Sequence, residues 1–193
     1  MGEIIARWEW RTFADDLGKA EENLEKYECT LKRKSSEDYI LSAKSMNNTK
    51  VRDELMDIKI LKQVNDDTLE QWYPIMKEGF PISIGVLETV YENWHIAAPR
   101  FERGVYTYEQ FLNELVAPNP DLKAVRVDKV RHGYMINDCI VEIAYVEFDG
   151  NPIKTMAVEL ADPALVMKTV RELELEGFEN INYLKALKNY AGM

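Results

Sequence analysis

The chain has 193 residues, with 24 Lys and Arg against 34 Asp and Glu, and a formal net charge of −10. Such acidity argues against nonspecific binding to nucleic acid or to an anionic membrane surface, so any basic site has to be local and enclosed. A hydrophobic content of 46% with four tryptophans argues against a disordered chain and, at this length, predicts a single domain spanning residues 1–193.

The first predicted element is a strand over residues 3–13, reading EIIARWEWRTF. Side chains alternate along a strand, so Arg7, Glu9 and Arg11 share one face while Ile4, Ala6, Trp8 and Trp10 share the other. A helix follows over residues 15–27, with Leu17, Ala20, Leu24 and Tyr27 at helical spacing. Residues 29–34 and 37–44 read as two short strands, and the run Lys32, Arg33, Lys34 as a solvated turn. Asn47-Asn48 is a turn signal. Residues 50–52 and 55–59 form a tight hairpin across Asp53-Glu54, with Lys50 beside Arg52 on one face and Asp57 beside Lys59 on the next strand. Two helices are then expected. Asp66 or Asp67 caps the first, whose stripe of Leu69, Trp72, Tyr73 and Met76 ends at Gly79. Ser83 caps the second, which carries Leu87, Val90, Tyr91 and Trp94; core packing accounts for the aromatic residues of both. The sequence Thr107-Tyr108-Glu109-Gln110 is a capping box opening a helix that runs to about Val116.

The second half returns to strands. Residues 121–134 alternate so that Lys123, Val125, Val127, Lys129 and Arg131 fall on one side. Residues 136–149 put Glu142 with Ile140 and Ala144, opposite Val141, Ile143 and Tyr145. Asp149-Gly150 is a hairpin turn into residues 153–160, which set Thr155, Ala157 and Glu159 against Met156, Val158 and Leu160. Asp162-Pro163 opens a helix that Gly177 closes. Asn180 is expected to cap a last helix carrying Ile181, Leu184 and Leu187.

Most predicted strands thus carry an ionisable residue at mid-strand, and most of these are basic. The apolar strand faces match the apolar stripes of the helices, which leaves the charged faces to meet each other. A closed antiparallel barrel with a polar lumen satisfies both demands; an open sheet with one wet face is the alternative. In a lumen the charges need water, paired acids or an anionic ligand. Converging Lys and Arg suit phosphates, and carboxylates among them suit Mg²⁺ or Mn²⁺.

Other chemistries find little support. Cys29 and Cys139 make no disulfide framework or metal pattern and fit a reducing cytosol. The two histidines, His95 and His132, have no recognisable motif around them, and no Walker or dinucleotide glycine pattern occurs. Neither a signal peptide nor a membrane span is apparent, and Ala6 stands where a myristoylation signal needs Ser or Thr. A cytoplasmic protein is therefore expected, with no membrane or nucleic-acid partner.

The order of these motifs resembles the CYTH superfamily, the triphosphate tunnel metalloenzymes that include class IV adenylyl cyclase and thiamine triphosphatase. The matching features are an opening strand like E-x-E-x-K, the basic strand and hairpin of Lys50, Arg52 and Lys59, the K-x-R strand of Lys129 and Arg131, the Glu-bearing strands of Glu142 and Glu159, and a closing helix with Tyr183. The resemblance implies an α+β fold: an eight-stranded antiparallel β-barrel with helices packed outside, holding a triphosphate or polyphosphate with a divalent metal, Mg or Mn. It further implies phosphate-binding roles for Arg11, Lys50, Arg52, Lys59, Lys129 and Arg131, metal-side roles for Glu9, Glu142 and Glu159, and catalysis through Glu9 and Glu159.

Two departures stand out. Arg7 occupies the place of the motif's first Glu, and Ala157 that of a later one. Fewer carboxylates weaken a hard-cation site, so phosphate binding is better supported than hydrolysis. Three functions follow: a metal-dependent triphosphatase, a non-catalytic polyphosphate or phosphometabolite module in which Arg7 adds an anion grip, and a vestigial tunnel serving as an interaction domain. A homodimer is compatible with each.

Overall fold

Charged and apolar residues alternate at period two along several separate stretches of the chain, and these stretches pair into one ring of strands. The computed structural model describes residues 6–193. The strands are β1 (Trp8–Ala14), β2 (Leu31–Ser42), β3 (Asn48–Arg52), β4 (Leu55–Val64), β5 (Glu70–Gly79), β8 (Leu122–Ile136), β9 (Cys139–Phe148) and β10 (Asn151–Leu160). They close as an antiparallel barrel in the order β1-β10-β9-β8-β2-β3-β4-β5, with β5 returning to β1. Closure removes every sheet edge and settles the choice against an open sheet. The start of the expected first strand, including Ile4, lies outside the described residues.

Outside the ring are α1 (Lys19–Leu24), α2 (Ile84–Asn93), α3 (Tyr108–Gln110) and α4 (Pro163–Glu172), and α3 continues as a π-helical segment, Phe111–Val116. A small ribbon of β6 (Ile82–Ser83) and β7 (Val105–Tyr106) supports α2. The outward faces of β1, β9 and β10 bury Trp10, Val141, Ile143, Met156 and Val158 under α1 and α4. Ile40, Val51, Met56 and Ile58 are buried under α2 and the π-helical segment, together with Trp94. A third cluster joins inward residues of the barrel, Tyr39, Leu41, Val125, Val127 and Phe148, to Tyr183, Leu184 and Leu187 of the last helix, α5 (Tyr183–Ala191). So α5 closes one end of the barrel and leaves the polar part of the lumen toward the other. No helix among the described residues is long and apolar enough to cross a membrane.

Three expectations are corrected. Residues 29–44 do not form two strands: β2 is continuous and pairs with β8 from Leu31↔Gly133 to Ser42↔Leu122, so Lys32, Arg33 and Lys34 lie in an exposed strand and not in a turn. The expected helix with Leu69, Trp72, Tyr73 and Met76 is β5. Its spacing is helical, but Pro74 disfavours a helix interior, whereas in the sheet it pairs with Lys59 at a register shift, where a proline is tolerated. The last helix is capped by Asn182, whose Oδ1 accepts the Lys185 N–H at 2.8 Å. Asn180 instead accepts the Arg11 backbone N–H at 2.9 Å and so ties the chain before α5 to β1.

Other local signals hold. Asp53 and Glu54 take positive φ of 52° and 54°, the hairpin geometry that joins β3 to β4. Thr107 closes a complete capping box. Asp162 accepts the N–H groups of Ala164 and Leu165 at the start of α4, although that helix ends before Gly177, with Glu174 at φ 58°. Replacing Asp162 with alanine is expected to cost about 1 kcal/mol of stability, read by thermal melting.

Candidate anion-binding tunnel

Because β1, β3, β4, β8, β9 and β10 each turn their charged face inward, residues far apart in sequence meet in one polar cavity of about 190 Å³. Glu9 and Arg11 enter from β1, Lys50 from β3, Lys59 from β4, Lys129 and Arg131 from β8, Glu142 from β9 and Glu159 from β10. Two expected residues sit at its margin. Arg52 reaches from the rim to Glu37, Nη1 to Oε1 at 3.4 Å. Arg7, with its side chain 54% exposed, reaches Glu159 at 3.8 Å and lines an adjoining recess with Lys59, Trp72 and Pro74.

The floor is built around Glu37, whose side chain is only 1% exposed. Lys129 Nζ donates to it at 2.8 Å, and Lys50 Nζ lies 3.6 Å away. Burial alone raises this carboxyl, but Lys129 and Lys50 outweigh it and hold it at about 2. Lys129 has the opposite balance. Burial and the nearby Lys50 and Arg11 prevail over Glu37, and its ammonium is pushed down to about 8. That ammonium also donates to the Tyr39 hydroxyl at 3.1 Å and stands 4.1 Å from the centre of the Tyr183 ring. Arg11 donates from Nε to Glu9 at 2.7 Å and from Nη1 to Thr155 Oγ1 at 3.2 Å, and its guanidinium lies 4.7 Å from the centre of the same Tyr183 ring.

Glu159 faces Glu9 directly across the β1–β10 ladder. Burial and that neighbouring carboxylate push it up to about 7. Glu9, Glu142 and Glu159, the carboxylates the resemblance assigns to a metal, each have a cation beside them: Arg11 on Glu9, Arg131 on Glu142 at 3.4 Å, and Arg7 on Glu159. Among the described residues no three His, Cys, Asp or Glu side chains group closely enough to hold a metal ion. Each of these pairings competes for a carboxylate that a hard cation, which takes several oxygen ligands at once, would also need.

Acid sensitivity follows from Glu37. Its folded-state value of about 2 lies below the ordinary 4.5, so the stability it contributes is present above pH 4.5 and is lost as pH falls toward 2. In Glu37→Gln this part of the acid transition should vanish. Melting temperature followed from neutral to acid pH in both proteins checks it.

No protein-family model matches the chain, and no curated protein does either. Solved structures do. An adenylyl cyclase-like protein of Hippeastrum, described as having a dominant triphosphatase activity, superposes with a TM-score of 0.55 at 10% identity, over 95% of this chain and 96% of its own. A conserved hypothetical protein of Pyrococcus furiosus gives a TM-score of 0.51 at 13% identity, over 92% and 98%. The PH1012 protein of Pyrococcus horikoshii gives 0.50 at 16% identity, over 92% and 97%. The chain has the CYTH-like tunnel fold.

Within this CYTH-like tunnel, six lining residues lie beyond the set expected from sequence: Glu37, Tyr39, Asn48, Trp72, Asn182 and Tyr183. Glu37 and Tyr39 alternate inward along β2, a period-two signal already present within the expected strand 37–44. Trp72 was hidden by a helix reading; its indole Nε1 donates to Glu70 at 3.0 Å, and it lines the lumen and not the core. Three buried polar atoms in this one cavity have no hydrogen-bond partner among the described residues: Asn48 Oδ1, Arg131 Nε and the Tyr183 hydroxyl.

Proposed function

We propose that the tunnel binds a triphosphate or polyphosphate. The observation that carries this reading is the presence of unpartnered donors, Arg131 Nε and the Tyr183 hydroxyl, in the cavity that also gathers Arg11, Lys50, Lys59, Lys129 and Arg131. A buried donor without an acceptor is costly, and phosphate oxygens supply acceptors that the protein lacks there. In a chain of net charge −10, this one small cavity is lined by five Lys and Arg against four Glu, a local excess of positive charge that favours an anion over the acidic remainder of the chain. Arg11 and Arg131 would present planar donor sets to phosphate oxygens, and Lys50 and Lys129 would act as point charges.

Binding is supported better than hydrolysis, because Glu9 and Glu142 are engaged by guanidinium groups. A hydrolytic reading rests on Glu159, whose position near 7 suits proton transfer at neutral pH. Calorimetric titration with tripolyphosphate, in chelator and again with Mn²⁺, tests the binding reading, with sulfate as control. Saturable binding in chelator, tighter than that of sulfate, is expected; absence of binding under both conditions would overturn it. Phosphate release with Mn²⁺ that disappears in Glu159→Gln would establish hydrolysis.

A further inference from the structure

Glu37 is not among the residues that a phosphate site needs, yet it sits at the centre of this one. Its carboxylate lies between cations from both flanking strands, with Lys129 of β8 at 2.8 Å on one side, and Lys50 and Arg52 of β3 at 3.6 Å and 3.4 Å on the other. An acid placed only to hold the barrel together has cheaper substitutes, since buried ion clusters seldom exceed well-packed apolar residues in stability. We infer that Glu37 is a built-in anion: in the unliganded tunnel it takes the place of a phosphate between Lys50, Arg52 and Lys129, and it limits how much negative charge the site accepts.

This inference rests on the proposed binding of a polyanion and says which residue sets its selectivity. Without ligand, Glu37 keeps three cations from repelling one another inside the barrel. With ligand, it competes for the same three cations and repels the incoming charge. Removing its charge should therefore loosen the empty protein and tighten the complex. The gain should grow with ligand charge, from phosphate through pyrophosphate to tripolyphosphate, which a merely structural role would not produce.

Glu37→Gln and the wild type are titrated with these three anions in chelator, at about pH 6, below the value of about 8 that Lys129 holds beside Glu37, because losing that partner lowers it further. Glu37→Gln is expected to bind tripolyphosphate at least about tenfold tighter, with a smaller gain for phosphate, and to melt lower when empty. The double variant Glu37→Gln/Lys50→Met, in which one charge of each sign is removed, keeps the test intact if the single variant does not fold. It is expected to bind tripolyphosphate tighter than Lys50→Met alone. If the wild type binds and neither comparison shows a gain, the inference is overturned and the binding reading survives. If no variant binds any of the anions, both are overturned.

Discussion

Lys129→Met is expected to weaken tripolyphosphate binding by about 100-fold or more, the largest effect of any single lumen substitution. A unit charge about 4 Å from an anion contributes on the order of 4 kcal/mol at the effective dielectric of a protein surface, and the lumen around Lys129 is drier, its side chain being 4% exposed. Part of that energy goes to removing both partners from water, which leaves roughly 3 kcal/mol, or about two orders of magnitude in dissociation constant. The same change also removes the closest partner of Glu37, so the carboxylate keeps only Lys50 and Arg52. Stripping one partner from a buried pair costs about 3–5 kcal/mol, and the empty variant should melt well below the wild type. Lys32→Met is the control, because Lys32 is on the exposed face of β2 and should leave both affinity and melting temperature unchanged. Calorimetric titration and thermal melts on the two variants separate these outcomes.

The second large effect is at Tyr183, where alanine and phenylalanine should behave oppositely. Its ring is stacked on Tyr39 at 5.6 Å and meets Phe13 edge-on at 4.9 Å, at the end of the barrel that α5 closes. Tyr183→Ala empties that space and removes the ring beneath Lys129 and Arg11. A loss of about 3–5 kcal/mol is expected, or roughly 10 °C in melting temperature for a chain of this size. Tyr183→Phe keeps the ring and deletes a hydroxyl that has no partner in the empty tunnel, so its stability should equal or exceed that of the wild type. Affinity for tripolyphosphate should nevertheless fall by about tenfold, the worth of a hydrogen bond to a charged acceptor. A Phe variant as stable and as tight as the wild type would remove the hydroxyl from the site.

How much of this was legible before the structure depends on which local signal was in force. The strands of Trp10, Val51, Val141 and Val158 read correctly because charged and apolar residues alternate there without interruption, and only one register puts their apolar face beneath a helix. Closure of the ring was readable for the same reason: inward charges on so many strands have nowhere else to go. β5 was misread because Leu69, Trp72, Tyr73 and Met76 satisfy a helical spacing and no alternation, and Pro74 was the clue that should have decided it. β2 was misread because Ser35-Ser36 interrupts a hydrophobic pattern, while the long ladder to β8 that keeps it straight is a tertiary fact. Glu37, the most buried charge of the site, fell at the very start of the expected strand 37–44, and nothing local shows that Lys129, Lys50 and Arg52 would converge on it. Tyr183 was recognised as part of the closing helix, but nothing local indicates that its ring would lie beneath Lys129 and Arg11, since that contact depends on α5 folding back into the barrel end. The acids expected to hold a metal were placed in the lumen as anticipated; what alternation does not reveal is that each would lie beside a cation.

The most direct measurement of the central claim is a crystal structure of the protein soaked with tripolyphosphate in the presence of chelator. The account predicts anion density inside the barrel, with phosphate oxygens at hydrogen-bond distance from Arg131 Nε and the Tyr183 hydroxyl and close to Lys129. An empty lumen at saturating ligand, or an anion bound only to the outer surface of the barrel, would contradict it.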